Sequence, residues 1–485
     1  MDAGPDGGGD MGGEGEGEGA PSNPPELLIT VNEIPAAMNG SEGYRQSGGA
    51  LKRFSIPVNE ADFTLDVRAQ PGSGPIDWAS LELRCDAPLV LPSGQAIDAG
   101  ALFGDDSLEA RAEGGWRSLR LTGQAALPPA SRDGARITCD ASAAALDGQG
   151  PATSAISFQP TELTARLDPF AEVDTWLVVT SRDIFATTVQ DGEDGVRRVA
   201  SEYLPEGDGR VDFDEAFEVL GLWTSDAPEV AAVIRTRLLE SVRAHTHDIF
   251  GLDDEGRPAG LDSVRLRLTF EGDPGAPSPD EFDGGGFSMI ALGGDGKPSA
   301  QADRLVGQAG IDWNNQGRED NTVYGRGVYT TAIARMIFAT PGAPSLLASI
   351  LPGEGEPFGS RASDVELVAD DFDPAGSDIP DAGLRHTLLK FALDLGGLAL
   401  ASTLSHEIGH SLGLVPLGPP PEGLFGDVAG LDFTANDLDG AHIDTEGVNV
   451  MQTGKVTNYL EVLAGARPRF NALNLAYLRR RLVVR

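Results

Sequence analysis

The sequence contains very few cysteines and no long apolar run, and each absence excludes a class of protein. Cys85 and Cys139 are the only cysteines in 485 residues, which excludes zinc ribbons and iron–sulfur sites because these need more thiolates. No run of about 18 apolar residues occurs, so the sequence predicts no transmembrane helix. The most apolar stretch, Leu388–Leu404, contains Lys390 and Asp394 and fits a buried helix better.

Basic residues are also scarce. The chain has 36 Lys and Arg against 75 Asp and Glu, a formal charge of −39. This balance argues against nucleic acid as a partner, because phosphate binding needs basic patches. It is typical of a soluble exported protein with a well-solvated acidic surface. The length predicts two or three domains.

The first 25 residues are rich in glycine, proline and acidic residues, and no signal peptide is visible. Such a composition cannot bury a core and predicts a disordered tether over residues 1–25. The tether resembles the segment that follows the lipidated cysteine of bacterial surface lipoproteins. This resemblance implies an extracellular or cell-surface protein that meets a membrane only through an N-terminal lipid anchor absent from this sequence. The alternative is a cytoplasmic protein with a disordered amino terminus.

Residues 26–166 contain short segments in which apolar and polar residues alternate, the period of a strand with one buried face. Such segments are Leu27–Val31, Asp62–Ala69, Ser80–Asp86, Trp116–Gly123 and Ala135–Ser142. Many short strands separated by turn residues indicate two packed antiparallel sheets. We therefore predict an immunoglobulin-like β-sandwich over residues 26–166.

The two cysteines are a candidate disulfide within this sandwich. Cys85 alternates in phase with Leu81 and Leu83, and Cys139 with Ile137, so both thiols are expected on core-facing sides of their strands. A bridge closing a loop of this length would stabilise the fold by about 4 kcal/mol in an oxidising compartment. The alternative is a pair of reduced, buried cysteines that act as small apolar residues.

Residues 167–485 mix strand-like and helix-like segments, which predicts an α/β (α+β) domain and makes the whole chain multidomain. The expected strands are Thr175–Ser181, Ser263–Phe270 and Phe287–Gly294. The expected helices are Ala227–Gly251, part of Asn321–Phe338, Asp381–Leu412 and Phe470–Leu482. Phe287–Gly294 lies between glycine-rich turns and is expected either to be a sheet edge that pairs with an extended substrate or to be an internal strand.

The sequence HEIGH, from His406 to His410, lies near the end of a predicted apolar helix. Two histidines four residues apart share one helix face, so both imidazoles can reach one Zn²⁺ ion. Glu407 then lies beside the open metal position and can accept a proton from water. A surface helix with two unrelated histidines is the alternative, and the apolar residues around the motif disfavour it.

A catalytic zinc has three protein ligands, and the chain offers few imidazoles for the third. His245 and His247 end an earlier helix, and His386 lies about five turns from His406 along the same helix. His442 remains as the candidate third ligand. The alternative ligands are the aspartates near it in sequence, namely Asp427, Asp432, Asp437, Asp439 and Asp444.

The segment Ser405–Gly454 resembles the metzincin clan of zinc peptidases. It reads HExxHxxG through Gly413, but Pro416 stands where compact metzincins place the third histidine. After an insertion come His442 and the sequence NVM at Met451, a spacing similar to that of leishmanolysin-like members. The resemblance implies that Gly413 turns the chain out of the helix and that Met451 supports the site from below. The alternative role for Met451 is ordinary core packing.

The resemblance implies a secreted or surface-anchored zinc metallopeptidase, a hydrolase that cuts protein or peptide substrates with Glu407 as general base. One alternative is a catalytically inactive, protease-like binding or adhesion lipoprotein. Another is a zinc hydrolase that acts on something other than protein. Ca²⁺ is a second candidate ion at two acidic segments, Gly207–Phe217 and Ile311–Thr322, although Leu204 replaces the first ligand in the former and a polar turn explains the latter.

Overall fold

The computed structural model describes residues 24–31, 34–35, 44–45, 51–52, 56–58, 62–69, 74–87, 89–90, 96–97, 116–122, 137–146, 150–158, 160–162, 173–192, 196–259, 264–284, 286–296, 305–312, 317–339, 347–414, 449–451, 467–470, 474 and 478. Residues 1–23 of the predicted tether lie outside this set. So does most of the helix predicted over Phe470–Leu482. The described elements form mixed helices and sheets, an α+β arrangement.

The described elements before residue 163 are all strands. They are β1 (Leu27–Val31), β2 (Ile34–Pro35), β3 (Tyr44–Arg45), β4 (Leu51–Lys52), β5 (Ile56–Val58), β6 (Asp62–Ala69), β7 (Ile76–Cys85), β8 (Leu89–Val90), β9 (Ala96–Ile97), β10 (Trp116–Thr122), β11 (Ile137–Ala145), β12 (Ala152–Phe158) and β13 (Pro160–Glu162). Each of the five strands expected from alternation coincides with one of these, which confirms those expectations.

Two antiparallel sheets account for the longer of these strands. One has the order β10-β6-β1-β2 and the other the order β12-β11-β7. Strand β1 of the first lies against β12 of the second. Ile29, Val67, Leu83 and Ile156 are buried in one apolar cluster. Two sheets therefore share a core, as alternation in the sequence indicates.

Cys85 and Cys139 form a disulfide. The two residues lie directly opposite each other on the neighbouring strands β7 and β11. The bridge therefore joins two strands of one sheet, whereas the hallmark bridge of immunoglobulin domains joins the two sheets. The immunoglobulin-like topology and the domain boundaries stay predictions.

The second half adds strands β14 (Asp174–Val179), β15 (Phe185–Asp191), β16 (Arg197–Tyr203), β17 (Leu266–Phe270), β18 (Ser288–Ala291), β19 (Gly307–Gln308), β20 (Asp320–Asn321) and β21 (Gly327–Val328). Its helices are α1 (Asp212–Glu218), α2 (Pro228–Phe250), α3 (Thr330–Ala339), α4 (Asp364–Leu367) and α5 (Ala382–Ser411), with short 3₁₀ turns at Pro279–Glu281 and Val323–Gly325. β15 and β16 form an antiparallel hairpin.

A parallel sheet of order β17-β14-β18-β20 lies at the centre of this half. Its strands are buried on both faces, with Trp176, Leu177, Val178 and Ile290 fully inaccessible, as near-continuous apolar runs of parallel strands predict. Beyond the end of β18, Leu292 forms a parallel bridge to Val328 of β21. β21 pairs in turn with β19 in the antiparallel direction.

This topology decides between the two expectations for Phe287–Gly294. β18 has β14 on one side and β20 on the other, so it is an internal strand and the sheet-edge expectation is wrong. Flanking glycines do not reveal which partners a strand has. The strands that contact the HEIGH helix are instead the two-residue strands β19 and β21, which the sequence pattern does not mark.

Helices α2 and α5 run along each other and are the two long helices that the apolar spacing predicts. α2 begins with Pro228 in its first turn and ends at Gly251, whose φ of 70° is left-handed, as expected for a proline start and a glycine stop. The two helices approach closely at Gly397. A Cβ there would lie 2.1 Å from Ser241 Oγ, so a larger residue is excluded unless the helices separate.

The amino-terminal part of α5 is anchored by a buried ion pair. Arg385 and Asp364 are both buried, and two guanidinium nitrogens lie 2.8 Å from the two carboxylate oxygens. The same guanidinium donates to the carbonyls of Glu356 and Pro357 at 2.8 and 2.9 Å. Every oxygen of the buried carboxylate thus has a donor, which offsets the cost of burying the charge.

Helix α5 is the one helix in the described part of the chain that is long and apolar enough to cross a membrane. Half of its most apolar window is buried within the protein. A core helix passes the same test of length and composition, and α5 packs along α2.

Candidate metal centre

The candidate centre is built on the last turn and a half of α5. His406 and His410 project from the same helix face, and their Nε2 atoms lie 3.0 Å apart. The two rings are nearly perpendicular, at 88°. His410 is buried and His406 is partly buried. The sequence motif therefore brings two imidazole nitrogens to one point at the end of the helix.

Main-chain carbonyls orient both rings. Nδ1 of His406 lies 2.6 Å from the carbonyl oxygen of Val450, and Nδ1 of His410 lies 3.1 Å from that of Leu414. A carbonyl only accepts, so each Nδ1 carries the proton and each Nε2 presents its lone pair to the other ring. Burial, and next the neighbouring His406, lower the pKa of His410 to about 3, so this ring is neutral at physiological pH.

The turn Asn449–Met451 lies against the end of α5, in contact with His406 and Gly409. Met451 is fully buried, and a Cβ built on Gly409 would lie 2.7 Å from its Sδ atom. The backbone N–H of Met451 donates to Asn449 Oδ1 at 3.1 Å. The residue next to Met451 supplies the carbonyl that holds His406, so this turn and the helix form one unit.

The helix ends with a glycine turn that sets the second carbonyl. Gly413 has a φ of 87°, and its N–H donates to the carbonyl of His410 while that of Leu414 donates to Gly409, at 3.0 and 2.9 Å. This pair of bonds is the Schellman pattern, which a left-handed glycine makes inexpensive. The turn returns the Leu414 carbonyl to the His410 ring.

Glu407 lies on the adjacent face and is buried against the segment Gly307–Gly310. A Cβ on Gly307 would lie 2.5 Å from a carboxylate oxygen of Glu407, so the side chain occupies the space that this glycine leaves. Burial raises the pKa of Glu407 to about 8, and the hydrogen bond from the Ala309 N–H opposes that rise. A carboxyl group with this pKa can both accept and return a proton near neutral pH.

Tyr329 is buried close to Glu407. Burial, and next the charge of Glu407, raise the pKa of the Tyr329 phenol well above its usual range, so the hydroxyl stays protonated. It donates to Oε1 of Gln308 at 3.2 Å. Tyr329 thus binds Gln308 of strand β19, while the two residues that flank Gln308, Gly307 and Ala309, contact the candidate base Glu407.

His442 and the alternative aspartate ligands lie outside the described residues, as does Pro416. Among the residues that the structure does describe, no group of three or more His, Cys, Asp or Glu side chains is arranged to hold a metal ion. The third ligand thus stays a prediction. His386 belongs to the same helix as His406, and His245 contacts Asp394 at 3.1 Å, so both have other surroundings.

The acidic residues of the first candidate calcium segment bind protein donors. Asp212 accepts the N–H groups of Ile184 and Phe185, both at 2.9 Å, and pairs with buried Arg182. Glu215 accepts the N–H of Thr187 at 2.8 Å. These carboxylates tie α1 to the β15 strand.

The second candidate calcium segment is only partly described, because Asn314 and Asn315 lie outside the described residues. Asp312 accepts the N–H of Gly317 at 2.8 Å, and Asp320 accepts that of Thr322 at 2.9 Å. Both are local turn contacts, as the polar-turn alternative anticipates. Ca²⁺ stays an untested candidate ion.

Several residues of the centre escape sequence reasoning. Gly307, Ala309 and Tyr329 lie far before Glu407 in the sequence, in a segment without a recognisable motif. Val450 and Leu414 act through their backbone carbonyls. Gly307 carries the one available signal, since an isolated glycine can mark a close approach of another group.

Comparison with known proteins adds no assignment. No family model matches the chain, and no curated protein matches it significantly.

Proposed function

We propose that the chain is a secreted or surface-anchored zinc-dependent endopeptidase that resembles the metzincin clan. The observation that carries this proposal is the pair of Nε2 atoms 3.0 Å apart, with both Nδ1 atoms engaged by carbonyls. Two ring nitrogens so close need a proton or a metal ion between them. Burial disfavours a charged imidazolium at His410, so the metal is the better explanation.

The donor set fits zinc. Two Zn–N bonds of about 2.0–2.1 Å at a tetrahedral angle separate the nitrogens by about 3.4 Å, close to the spacing seen here. Backbone carbonyls that accept a hydrogen bond from Nδ1 are usual partners of metal-binding histidines. His406 and His410 would hold the ion, with His442 as the proposed third ligand. A zinc ion there supplies Lewis acidity, which polarises a peptide carbonyl and makes water more acidic.

Glu407 would carry out the proton transfers. One side of its carboxylate is held by the Ala309 N–H, which leaves the other oxygen to take the proton of the attacking water. The same oxygen would then deliver the proton to the leaving amine. Because the side chain is buried against Gly307, it keeps one orientation through both steps.

Strand β19 is the candidate docking edge for the substrate. It pairs with β21, and in the described part of the chain no strand pairs with its other side. An extended peptide can add to such an edge through main-chain hydrogen bonds. The residues that follow β19 contact Glu407, so a peptide bound along this edge would pass close to the proposed base.

Export is supported by the disulfide and the acidic surface. Disulfides such as Cys85–Cys139 persist in oxidising compartments, and the charge of −39 suits a solvated extracellular protein. A lipid anchor would be the sole attachment to a membrane.

Metal analysis and a cleavage assay test the proposal together. The wild-type protein should contain about one zinc ion per chain and cleave a denatured protein such as casein. Glu407→Gln should keep the zinc and lower kcat by about 10²–10⁴-fold, the usual contribution of a general base. His410→Ala and His442→Ala should lose the zinc, while His386→Ala, a histidine on the same helix outside the centre, should keep it.

Three results would favour the alternatives. A zinc-free protein that still binds a partner would support the adhesion lipoprotein. A zinc protein that cleaves no peptide in a broad library would support a different hydrolase. Retention of zinc in His442→Ala, with loss in Asp439→Asn or another aspartate variant, would replace the third ligand and keep the rest.

A further inference from the structure

Two fully buried side chains bind the backbone of Gly310. This glycine follows Ala309, whose N–H donates to Glu407. Ser411 Oγ donates to the carbonyl of Gly310 at 2.8 Å, and the Gly310 N–H donates to Asn321 Oδ1 at 2.7 Å. Asn321 Nδ2 donates to Ser411 Oγ at 2.9 Å. Ser411 and Asn321 have no exposed surface. We call these three residues the Gly310 clamp.

The chemistry of the groups fixes every proton in the clamp. The Gly310 carbonyl only accepts, so the Ser411 hydroxyl must direct its hydrogen there. The Gly310 N–H only donates, so the amide oxygen of Asn321 faces it and the amide nitrogen faces Ser411. The three bonds form a closed circuit, and removing any one member leaves a buried polar group without that partner.

The clamp connects three separate parts of the fold. Ser411 is the last residue of α5 and follows His410. Asn321 lies on β20, which pairs with β18, and Gly310 lies just beyond β19. β19 itself is a two-residue strand. With so few ladder bonds of its own, this segment depends on side-chain contacts for its position.

Two long side chains crowd the position of a Cβ at Gly310. A Cβ there would lie 2.9 Å from a carboxylate oxygen of Glu319 and 3.0 Å from a guanidinium nitrogen of Arg326. A larger residue at this position would displace the ends of the Glu319 and Arg326 side chains. The close approach places the preceding residue, Ala309, where its N–H reaches Glu407.

We infer that Ser411 and Asn321 are positioning residues that hold the segment Gly307–Gly310 on the zinc helix and thereby fix the carboxylate of Glu407 beside the histidine pair. The inference rests on the proposed peptidase function for its catalytic consequence. It goes beyond that function because neither residue would touch the metal or the substrate.

The test compares Ser411→Ala with a matched control, Ser405→Ala. Ser405 is on the same helix and equally buried, but its hydroxyl makes no hydrogen bond to the described residues. Asn321→Asp is a second clamp variant, which keeps the acceptor for the Gly310 N–H and removes the donor to Ser411. Hydrogen–deuterium exchange of peptides covering 305–312, zinc content, kcat and KM are measured for all proteins.

Ser411→Ala should speed amide exchange in 305–312 by about tenfold or more, the equilibrium change that about 1.4 kcal/mol brings, and lower kcat by about tenfold. KM should change less than kcat, and zinc content should stay at the wild-type value. Asn321→Asp should shift both measurements in the same direction. Ser405→Ala should match the wild type.

Exchange and kcat in Ser411→Ala that equal those of Ser405→Ala would overturn the inference. Loss of zinc in Ser411→Ala would also overturn it, because the clamp would then act on the metal ligands and not on Glu407. If the wild type binds no zinc and cleaves nothing, the proposed function fails. The exchange comparison still decides whether the clamp holds the strand.

Discussion

The packing of Met451 under α5 makes a sharp prediction at Gly409. A Cβ at this position would lie 2.7 Å from Met451 Sδ and 3.4 Å from Leu414 Cδ1, distances that require the methionine to move. Gly383, on the same helix, has nothing within 4 Å of its Cβ position. The methyl group added by a Gly→Ala substitution would therefore meet Met451 at Gly409 and open space at Gly383, near the other end of α5.

The two variants should change the free energy of unfolding differently. Replacing a helical glycine by alanine gains up to about 1 kcal/mol of helix propensity, and Gly383→Ala should be more stable than the wild type by up to that amount. At Gly409 the same gain opposes an overpacking cost of about 1–3 kcal/mol. Gly409→Ala should therefore be neutral to about 2 kcal/mol less stable. Urea unfolding of the zinc-free proteins measures both values.

A double-mutant cycle separates packing from backbone effects. In a Met451→Ala background the Gly409→Ala change should cost less, with a coupling free energy of about 0.5–3 kcal/mol. Movement of Met451 also shifts the neighbouring Val450 carbonyl away from His406, so zinc affinity should fall by about 10–100-fold. Equal stabilisation by Gly409→Ala and Gly383→Ala, with no coupling to Met451, would refute the described packing.

Three further predictions concern stability. The pKa of Glu407 is about 8 in the folded protein against 4.5 in the unfolded chain, so between these pH values the folded state holds a proton that the unfolded state releases. Raising the pH from 4.5 to 8 should therefore destabilise the zinc-free wild type by a few kcal/mol (roughly 1.4 kcal/mol per pKa unit) relative to Glu407→Gln. Parallel curves of stability against pH for the two proteins, from urea titrations, would contradict this. Replacing Cys85 and Cys139 by alanine opens a loop of 54 residues and should lower the free energy of unfolding by about 4 kcal/mol on the chain-entropy model. Urea unfolding measures this loss, and thiol titration of the wild type checks that the bridge is formed. An unchanged unfolding midpoint would be the contrary result. Arg385→Met leaves the buried Asp364 carboxylate without its cationic partner and should lower the free energy of unfolding by about 3–5 kcal/mol. A decrease below about 1 kcal/mol, measured by calorimetry, would fit a solvent-exposed ion pair and contradict the burial of this one.

The elements that sequence reasoning found are those with strong local signals. α2 has apolar residues at helical spacing, Pro228 at its start and Gly251 at its end, and the helix occupies Pro228–Phe250. The strands β1, β6 and β7 alternate apolar and polar residues and appear where alternation predicts them. Such signals are local, so no knowledge of the rest of the fold is needed.

The relations between elements were not accessible in the same way. Whether Phe287–Gly294 is an edge or an internal strand depends on β14 and β20, which lie far away in sequence, and no residue within the segment encodes it. The Gly310 clamp joins residues up to 101 positions apart. Serine and asparagine in such a pair look like any other polar residues until the backbone brings them together.

Two carbonyls, one from Val450 and one from Leu414, steer the imidazoles of His406 and His410. Every residue type carries a backbone carbonyl oxygen, so the side chains at these two positions can be substituted while the orientation of the two rings is kept. Substituting either residue by another apolar amino acid leaves the acceptor in place. Natural variation in this chain should therefore be permissive at both positions and strict at Gly409, Gly413 and the histidines themselves, a contrast that deep mutational scanning for zinc retention can display directly.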